Sequence, residues 1–405
     1  MARVYHELSR SGTFAANVKT VTRITISDSA LSQRALSIGW KVIDEVLSTV
    51  LRPLADISRH AEAFHQGYRL LAVDGTRFNL RNTKAINAEA QKWACNRGDG
   101  QPAFAHILGV VLVELGLHQP LAAAFGWQGE GELTLARRIF ARHSLPQRSL
   151  LLADRLFGMP SWIWELRETL EQSASHVLMR VKSNLKTTRK RQLSDGSWLV
   201  EVEVVDPSTR AKLGTLRLRE IQANIHYSGA REPLAMRLWT TLLNEVEHPA
   251  SALVELYATR WQEELFFREL KSHLHGHDSL LDAQTPDTAA QELLAMLLAA
   301  SLVARQRDAV AQCAQVDVLR ISFAKVLHKT AALCELLSVG GDLIGPESLA
   351  KWIQRILDDL ATDSLIQKRK PRSCPRTLRQ PVKDWPKTKS PASKIQIKQI
   401  IITNP

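Results

Sequence analysis

Three acidic residues carry the most chemistry this sequence can offer. Asp74 closes the apolar run RLLAVDG, Asp154 closes SLLLAD, and Glu264 lies within YATRWQEELFFRELK, residues 257–271. A carboxylate at the end of an otherwise apolar strand is costly unless it meets a cation. Three converging oxygen donors are the ligand set of a two-metal site for phosphoryl transfer, where the ions activate the attacking oxygen and stabilise the leaving one. Magnesium suits such a set, because it keeps waters and substrate phosphates in its shell, and manganese can substitute. Taken singly the signals are bland: Asp-Gly after a strand marks a turn, and a glutamate on a helix is ordinarily solvated.

The stretch around Glu264 adds to them. Tyr257, Arg260, Trp261, Glu264, Arg268, Lys271 and His275 follow at steps of three or four, so a continuous helix would put them on one face. Solvent does not require Tyr and Trp there, and a core does not tolerate unpaired Arg, Glu and Lys. Other chemistries lack their motifs. No GxxxxGK[ST] phosphate loop and no GxSxG nucleophile elbow occurs. The four cysteines are widely spaced with no CxxC, which argues against a zinc module or a disulfide framework and fits a reducing cytoplasm.

The elements that must position these residues can be read from the pattern. Residues 29–66 read as helices, and RLLAVDGTRFNL (69–80) as a strand ending in an Asp-Gly turn. FAHILGVVLVEL (104–115) and PLAAAFGW (120–127) read as two strands joined by Gly-Leu-His-Gln. An amphipathic helix follows at 131–145, and then a strand at 149–158 that ends in Asp154. An apolar run that crosses through a helix to another apolar run predicts a mixed sheet with its first and fourth strands parallel. Ligands gather at the carboxyl ends of such strands. After a helix at 160–173, residues 176–244 alternate short β-like runs with turn signals, as an inserted β-rich subdomain would. Helices return at 250–275, 286–315, 316–337 and 346–361.

Net charge is +12 and unevenly spread. Residues 366–405 hold eleven Lys and Arg against one acid, Asp384, so they carry +10 and leave +2 for the rest. A basic, proline-bearing tail is suited to a polyanion, above all nucleic acid, although a merely solvating role is the plainer alternative. RVKSNLKTTRKR (180–191) places six cationic residues in a dozen and repeats the hint. The first residues lack the apolar segment of a signal peptide. The most apolar window, LLAMLLAASLVA (293–304), is shorter than the roughly 20 residues of a membrane span and reads as a buried helix. No membrane partner is expected.

Tyr257, Arg260, Glu264 and Lys271 form Y-x2-R-x3-E-x6-K, which resembles the signature of the insertion-sequence-4-type DDE transposases. LLAVDGT is similar to that family's first-aspartate strand, and LLADRLF to its second-aspartate segment with the following Arg155 and an aromatic. SDSALSQRALSIGW (27–40) resembles the helical lead-in, and RKPRSCPRTL the basic ending; together the likeness spans roughly residues 25–390. It implies an α/β, RNase H-like mixed sheet flanked by helices, with a β-rich insertion and a helical C-terminal part. The corresponding boundaries are 1–66 (helical), 67–175 (first part of the core), 176–244 (insertion), 245–280 (last part with the catalytic helix), 281–365 (helical) and 366–405 (basic tail).

The resemblance further implies that Asp74, Asp154 and Glu264 hold Mg2+ or Mn2+. Water or a DNA 3′-hydroxyl would attack phosphodiesters at the element's ends and at the target. Arg260, Lys271, Arg268 and Arg155 would meet phosphates, and Tyr257 would donate a hydrogen bond to one. Trp261 would pack beneath its helix or against sugar. Trp239 would be either a base-stacking platform for a hairpin intermediate or a buried strand residue. The partners implied are double-stranded DNA, as inverted-repeat ends and target, and a second copy in a homodimer on paired ends. The location implied is cytoplasmic and nucleoid-associated. Only about 25 residues precede SDSALSQ, so the region that reads inverted repeats is expected to be shortened. Two other readings share these residues: a DNA-binding or dimerising relic that no longer transposes, and an RNase H-type nuclease that cuts without joining.

Overall fold

Alternating and continuous apolar runs become strands and helices in the order the patterns predict. The computed structural model describes residues 2–9, 12–89, 104–127, 129–227, 232–275, 280–366 and 397–402. Along the chain come α1 (Ala2–Ser9), α2 (Phe14–Thr22), α3 (Asp28–Ile38), α4 (Trp40–Val50), β1 (Phe64–His65), β2 (Tyr68–Leu80) and α5 (Lys84–Glu89). Next are β3 (Ala105–Glu114), β4 (Gln119–Gly126), α6 (Glu132–Arg142), β5 (Ser149–Ala153), α7 (Pro160–Gln172) and β6 (His176–Arg180). The β-rich stretch gives β7 (Thr188–Gln192), β8 (Trp198–Val205), β9 (Lys212–Tyr227) and β10 (Leu234–Thr240). The last elements are α8 (Ala250–Tyr257), α9 (Trp261–Glu269), α10 (Pro286–Ala314), α11 (Phe323–Gly340), α12 (Pro346–Asp363) and β11 (Ile397–Ile402). This is a mixed α/β fold. Three consecutive antiparallel strands, a helix, a strand, a helix and a further strand are the element order expected of an RNase H-like core.

The chain divides into two units, residues 1–149 with 260–366 and residues 150–259 with 367–405. In the first, β4, β3 and β2 form an antiparallel meander, with β1 paired to the start of β2. β3 is buried almost throughout, as expected of an apolar run without alternation. Its core continues into α10, where Leu293, Leu294, Leu297, Ala300 and Val303 are buried. The helix starts cleanly because Thr285 and Thr288 form a reciprocal capping box and Pro286 occupies the first turn. Among the described residues it is the one helix long and apolar enough to cross a membrane, yet most of that stretch is buried inside the protein.

The second unit is one continuous sheet. β5 and β6 pair in parallel through the crossover helix α7, and β10, β9, β8 and β7 extend the sheet antiparallel from β6. β11 pairs with the far end of β9, at Ala223–Tyr227. α7 lies on the sheet where Gly214 leaves room: a Cβ there would come within 2.3 Å of the Trp164 ring. The buried Arg219 ties the sheet to α8. It pairs with Asp195 and donates to the His248 carbonyl at 2.6 Å, while Asp195 accepts the Ala250 N–H at 2.7 Å.

Three expectations need correction. The helical reading of 29–66 ends at Val50, after which the chain is irregular up to a short 3-10 turn at Ala61–Ala63. Asp74 does not end its strand: β2 runs six residues further, and Asp74, Gly75 and Thr76 pair with Val111, Val110 and Gly109. The stretch 250–275 is not one helix. α8 is followed by a 3-10 turn (Ala258–Arg260), α9 and a π-turn (Leu270–Leu274), so steps of three and four no longer keep one face. Most of the basic tail, residues 367–396 and 403–405, lies outside the described residues.

Candidate nucleic-acid processing site

In the first unit the site is built from the middle of β2 and one side of α9. Asp74 sits inside the ladder with its Oδ1 accepting the Gly75 N–H at 2.8 Å, which aims Oδ2 away from the backbone. Gly75 lets a neighbouring side chain lie close over the strand. A Cβ would fall 2.5–2.8 Å from the Glu132 side chain, which crosses directly over it from the first turn of α6. Arg260 then joins β2 to α9: its Nη1 meets Asp74 Oδ2 and its Nη2 meets Glu264 Oε1, both at 3.2 Å. The two carboxylates thus share one guanidinium. Lys271 Nζ lies 2.5 Å from Thr76 Oγ1 and 5.1 Å from the Phe78 ring centroid. Burial there, without a carboxylate partner in its shift, lowers its pKa to about 8.

What holds α9 in place is a set of residues the sequence pattern did not single out. The tight β3–β4 turn presents the Gly116 N–H to Gln262 Oε1 at 2.6 Å, and His118 Nδ1 to Glu269 Oε2 at 2.6 Å. Arg307 of α10 approaches the same Glu269 carboxylate at 3.4 Å and donates to the Ile321 carbonyl at 2.9 Å. Glu269, His118 and Arg307 are all buried, and Phe266 packs beside them in the core. Burying one Phe is worth about 2 kcal/mol, while the ion cluster supplies orientation more than net stability. The one signal in the sequence was Gly-Leu-His-Gln itself, whose Gly116 takes φ +85° and whose Cβ would meet Ala63 at 2.8 Å.

Trp261, at the first position of α9, is 36% exposed, and Arg268 is exposed in the last turn. Burial of His275 removes it from the face.

The second unit holds the remaining residues. Asp154 follows β5 directly, with Oδ1 accepting the Leu156 N–H at 2.7 Å and its carbonyl accepting from Phe157 and Gly158. Tyr257 is buried and donates its hydroxyl to the Ala153 carbonyl at 3.1 Å, fixing the end of α8 against the residue before Asp154. The expected phosphate contact of Tyr257 is therefore replaced by a positioning one. Trp239 is fully buried, and its Nε1 donates to Glu220 Oε2 at 2.9 Å. A base cannot stack on a ring enclosed in the sheet, so of the two readings of Trp239 the buried strand residue is the right one. Arg155 is exposed and lines a cavity of about 870 Å³ with Arg180, Lys182, Asn184, Arg189 and Arg237. Arg237 is pinned there by Glu220 at 2.6 Å and by the carbonyls of Lys182, Ser183 and Leu185. The basic run 180–191 therefore contributes to one wall of a cationic cavity.

Among the described residues no group of three or more His, Cys, Asp and Glu is gathered to hold a metal ion. Asp74 and Glu264 offer oxygen donors, the type a hard divalent cation takes, and they flank the Arg260 guanidinium.

Comparison with known proteins gives the family. The family model of the transposase DDE domain matches residues 65–302, and the chain belongs to that family. It is similar to the transposase InsG for insertion sequence element IS4 of Escherichia coli (strain K12), at 25% identity over 292 residues. That alignment covers 71% of this chain and 62% of the relative's length. Among solved structures, the piggyBac transposase synaptic complex with hairpin DNA covers 92% of this chain and 76% of its own, with a TM-score of 0.47 and 11% identity. That last likeness is too slight to carry an argument.

Proposed function

We propose that this chain is an insertion-sequence transposase that cuts and joins DNA phosphodiesters, with Asp74, Asp154 and Glu264 as the acidic residues on which activity depends. The observation that carries the reading is the Asp74–Arg260–Glu264 bridge, found within residues 65–302 that match the transposase DDE domain. Divalent cations, Mg2+ or Mn2+, held by these carboxylates would activate the attacking oxygen and stabilise the leaving one. The chain's own residues supply the rest. Arg260 presents a two-nitrogen fork suited to a phosphate, and Lys271 adds a point charge close by. Arg268 and Trp261, exposed on α9, extend the surface along the backbone of the DNA. The cationic cavity bearing Arg155, Arg180 and Arg237 would receive a displaced strand through its phosphates. Double-stranded DNA, as element ends and target, is the substrate, and a homodimer would hold the paired ends.

Supercoiled plasmid incubated with the protein and Mn2+ is expected to be nicked, and a labelled duplex with a free 3′-hydroxyl to be joined to it. Nicking without joining would replace this reading by a plain nuclease. No Mn2+-dependent cleavage at all, from folded protein that binds DNA, would favour the inactive DNA-binding form.

Lys271 makes this reading sensitive to pH. Its folded pKa of about 8 lies below its ordinary value, so it is charged at pH 7 and neutral at pH 9. A phosphate contact by Lys271 is then lost on raising the pH, and the salt dependence of DNA affinity should be about one unit shallower at pH 9 than at pH 7. Lys271→Arg should abolish that difference. The linkage to stability runs the other way. The unfolded lysine holds its proton up to its ordinary pKa of 10.5, so the burden of burying the charge is present below pH 8 and is relieved as pH rises.

A further inference from the structure

The Asp74–Arg260–Glu264 bridge has a consequence for the order in which the site is filled, resting on the reading that Asp74 and Glu264 hold a divalent ion. We propose that Arg260 competes with that ion: in the DNA-free chain its guanidinium is a placeholder cation that must leave both carboxylates before they can take the metal. Asp74 has a donor on each oxygen, the Gly75 N–H on Oδ1 and Arg260 Nη1 on Oδ2. The first is main chain within the β2 ladder, whereas the second is the tip of a flexible side chain. Glu264 meets the other nitrogen of the same fork, one helical turn away.

A magnesium or manganese ion needs carboxylate oxygens at about 2.0–2.2 Å. A guanidinium hydrogen-bonded to those same oxygens would then face the dication at close range, and like charges repel. The bonds of Arg260 are 3.2 Å long, at the outer limit for charge-assisted pairs, and Glu264 is about one-third exposed. The competition is reciprocal: an ion on the carboxylates releases Arg260, whose fork is then available to a phosphate. Charge neutralisation of two adjacent acids in the absence of substrate is thus provided by the residue that later serves the substrate.

The test is Mn2+ binding to the DNA-free full chain, read as free Mn2+ by electron paramagnetic resonance. Arg260→Gln is expected to bind Mn2+ about tenfold more tightly than wild type, within the usual range of coupling between two ligands. Arg260→Lys keeps the charge but loses the two-nitrogen fork, and should fall between them. Asp74→Asn should remove the gain in the Arg260→Gln background. Equal or weaker binding by Arg260→Gln, with Asp74 still required, overturns the competition and leaves the site reading standing. So does an Arg260→Lys affinity equal to wild type, which would assign the effect to bulk charge. Tight binding that persists in the Asp74→Asn, Arg260→Gln double variant overturns the site reading and the competition with it. Circular dichroism on each variant confirms that the comparison is between folded chains.

Discussion

Asp74→Asn and Glu264→Gln should each lower Mn2+-dependent DNA cleavage by roughly a thousandfold or more while leaving DNA affinity within about threefold. The size follows from what a carboxylate ligand does in phosphoryl transfer: a bound cation contributes several kcal/mol of transition-state stabilisation, and each ~1.4 kcal/mol is a factor of ten in rate. The affinity is preserved because binding is carried by cations, and neither substitution removes one. Both changes are nearly isosteric. The Gly75 N–H keeps an oxygen acceptor in the amide that replaces the Asp74 carboxylate, and α9 keeps its seat through Gln262 and Glu269. Arg260 loses one of its two carboxylates in either variant. The quantities to compare are single-turnover cleavage rates at saturating protein and filter-binding isotherms in EDTA. Wild-type cleavage by Glu264→Gln would remove Glu264 from the mechanism. A hundredfold loss of DNA affinity would show instead that the acids act through the fold.

Why some of this could be read from the sequence and some could not is visible in particular residues. β3, α10 and β5 are long apolar runs bounded by turn or cap residues, and local pattern decides such elements. Asp-Gly after an apolar run is so often a turn that the sequence predicts a strand end at Asp74. Here the strand continues through Gly75, with the Glu132 side chain lying over it, a contact between residues 57 positions apart that no local pattern reports. Of the regularly spaced Tyr257, Arg260, Glu264 and Lys271, Arg260 and Glu264 meet at Asp74 while Lys271 lies against Thr76 further along β2, and they do not form one helical face, because a 3-10 turn and a π-turn shift the phase on either side of α9. Tyr257 and Trp239 carry polar atoms that suggest ligand contacts. In the fold those atoms are satisfied by Ala153 and Glu220, and partners of that kind emerge only when distant strands meet. The anchors of α9, His118 and Arg307, come from a turn and a helix far away in sequence.

That anchoring leads to the second large effect, which is on stability. Glu269→Ala should destabilise the chain by about 3–5 kcal/mol, the penalty for leaving a buried charge without its partner. Arg307 is almost wholly buried and would keep the Ile321 carbonyl as a neutral acceptor, but no carboxylate would balance it. Burial already pulls the Arg307 pKa down, and Glu269 is the group that raises it again. His118 would lose the acceptor that fixes its ring beside Phe266. Removing both charges together tells this apart from a simple cavity. If the ionic explanation is right, Glu269→Leu with Arg307→Met should recover most of the loss, because a buried ion pair replaced by well-packed apolar groups is often neutral or better. Urea denaturation of the four chains of that cycle gives the coupling directly. A Glu269→Ala cost under about 1 kcal/mol would mean that water or another hydrogen-bond acceptor relieves Arg307. α9 would then owe its orientation to Phe266 and Gln262 instead. Recovery of most of the stability in the double variant, with cleavage still impaired, is the expected pattern. The apolar pair refills the space behind α9, while the angle at which Arg260 and Glu264 meet Asp74 was set by the charged one.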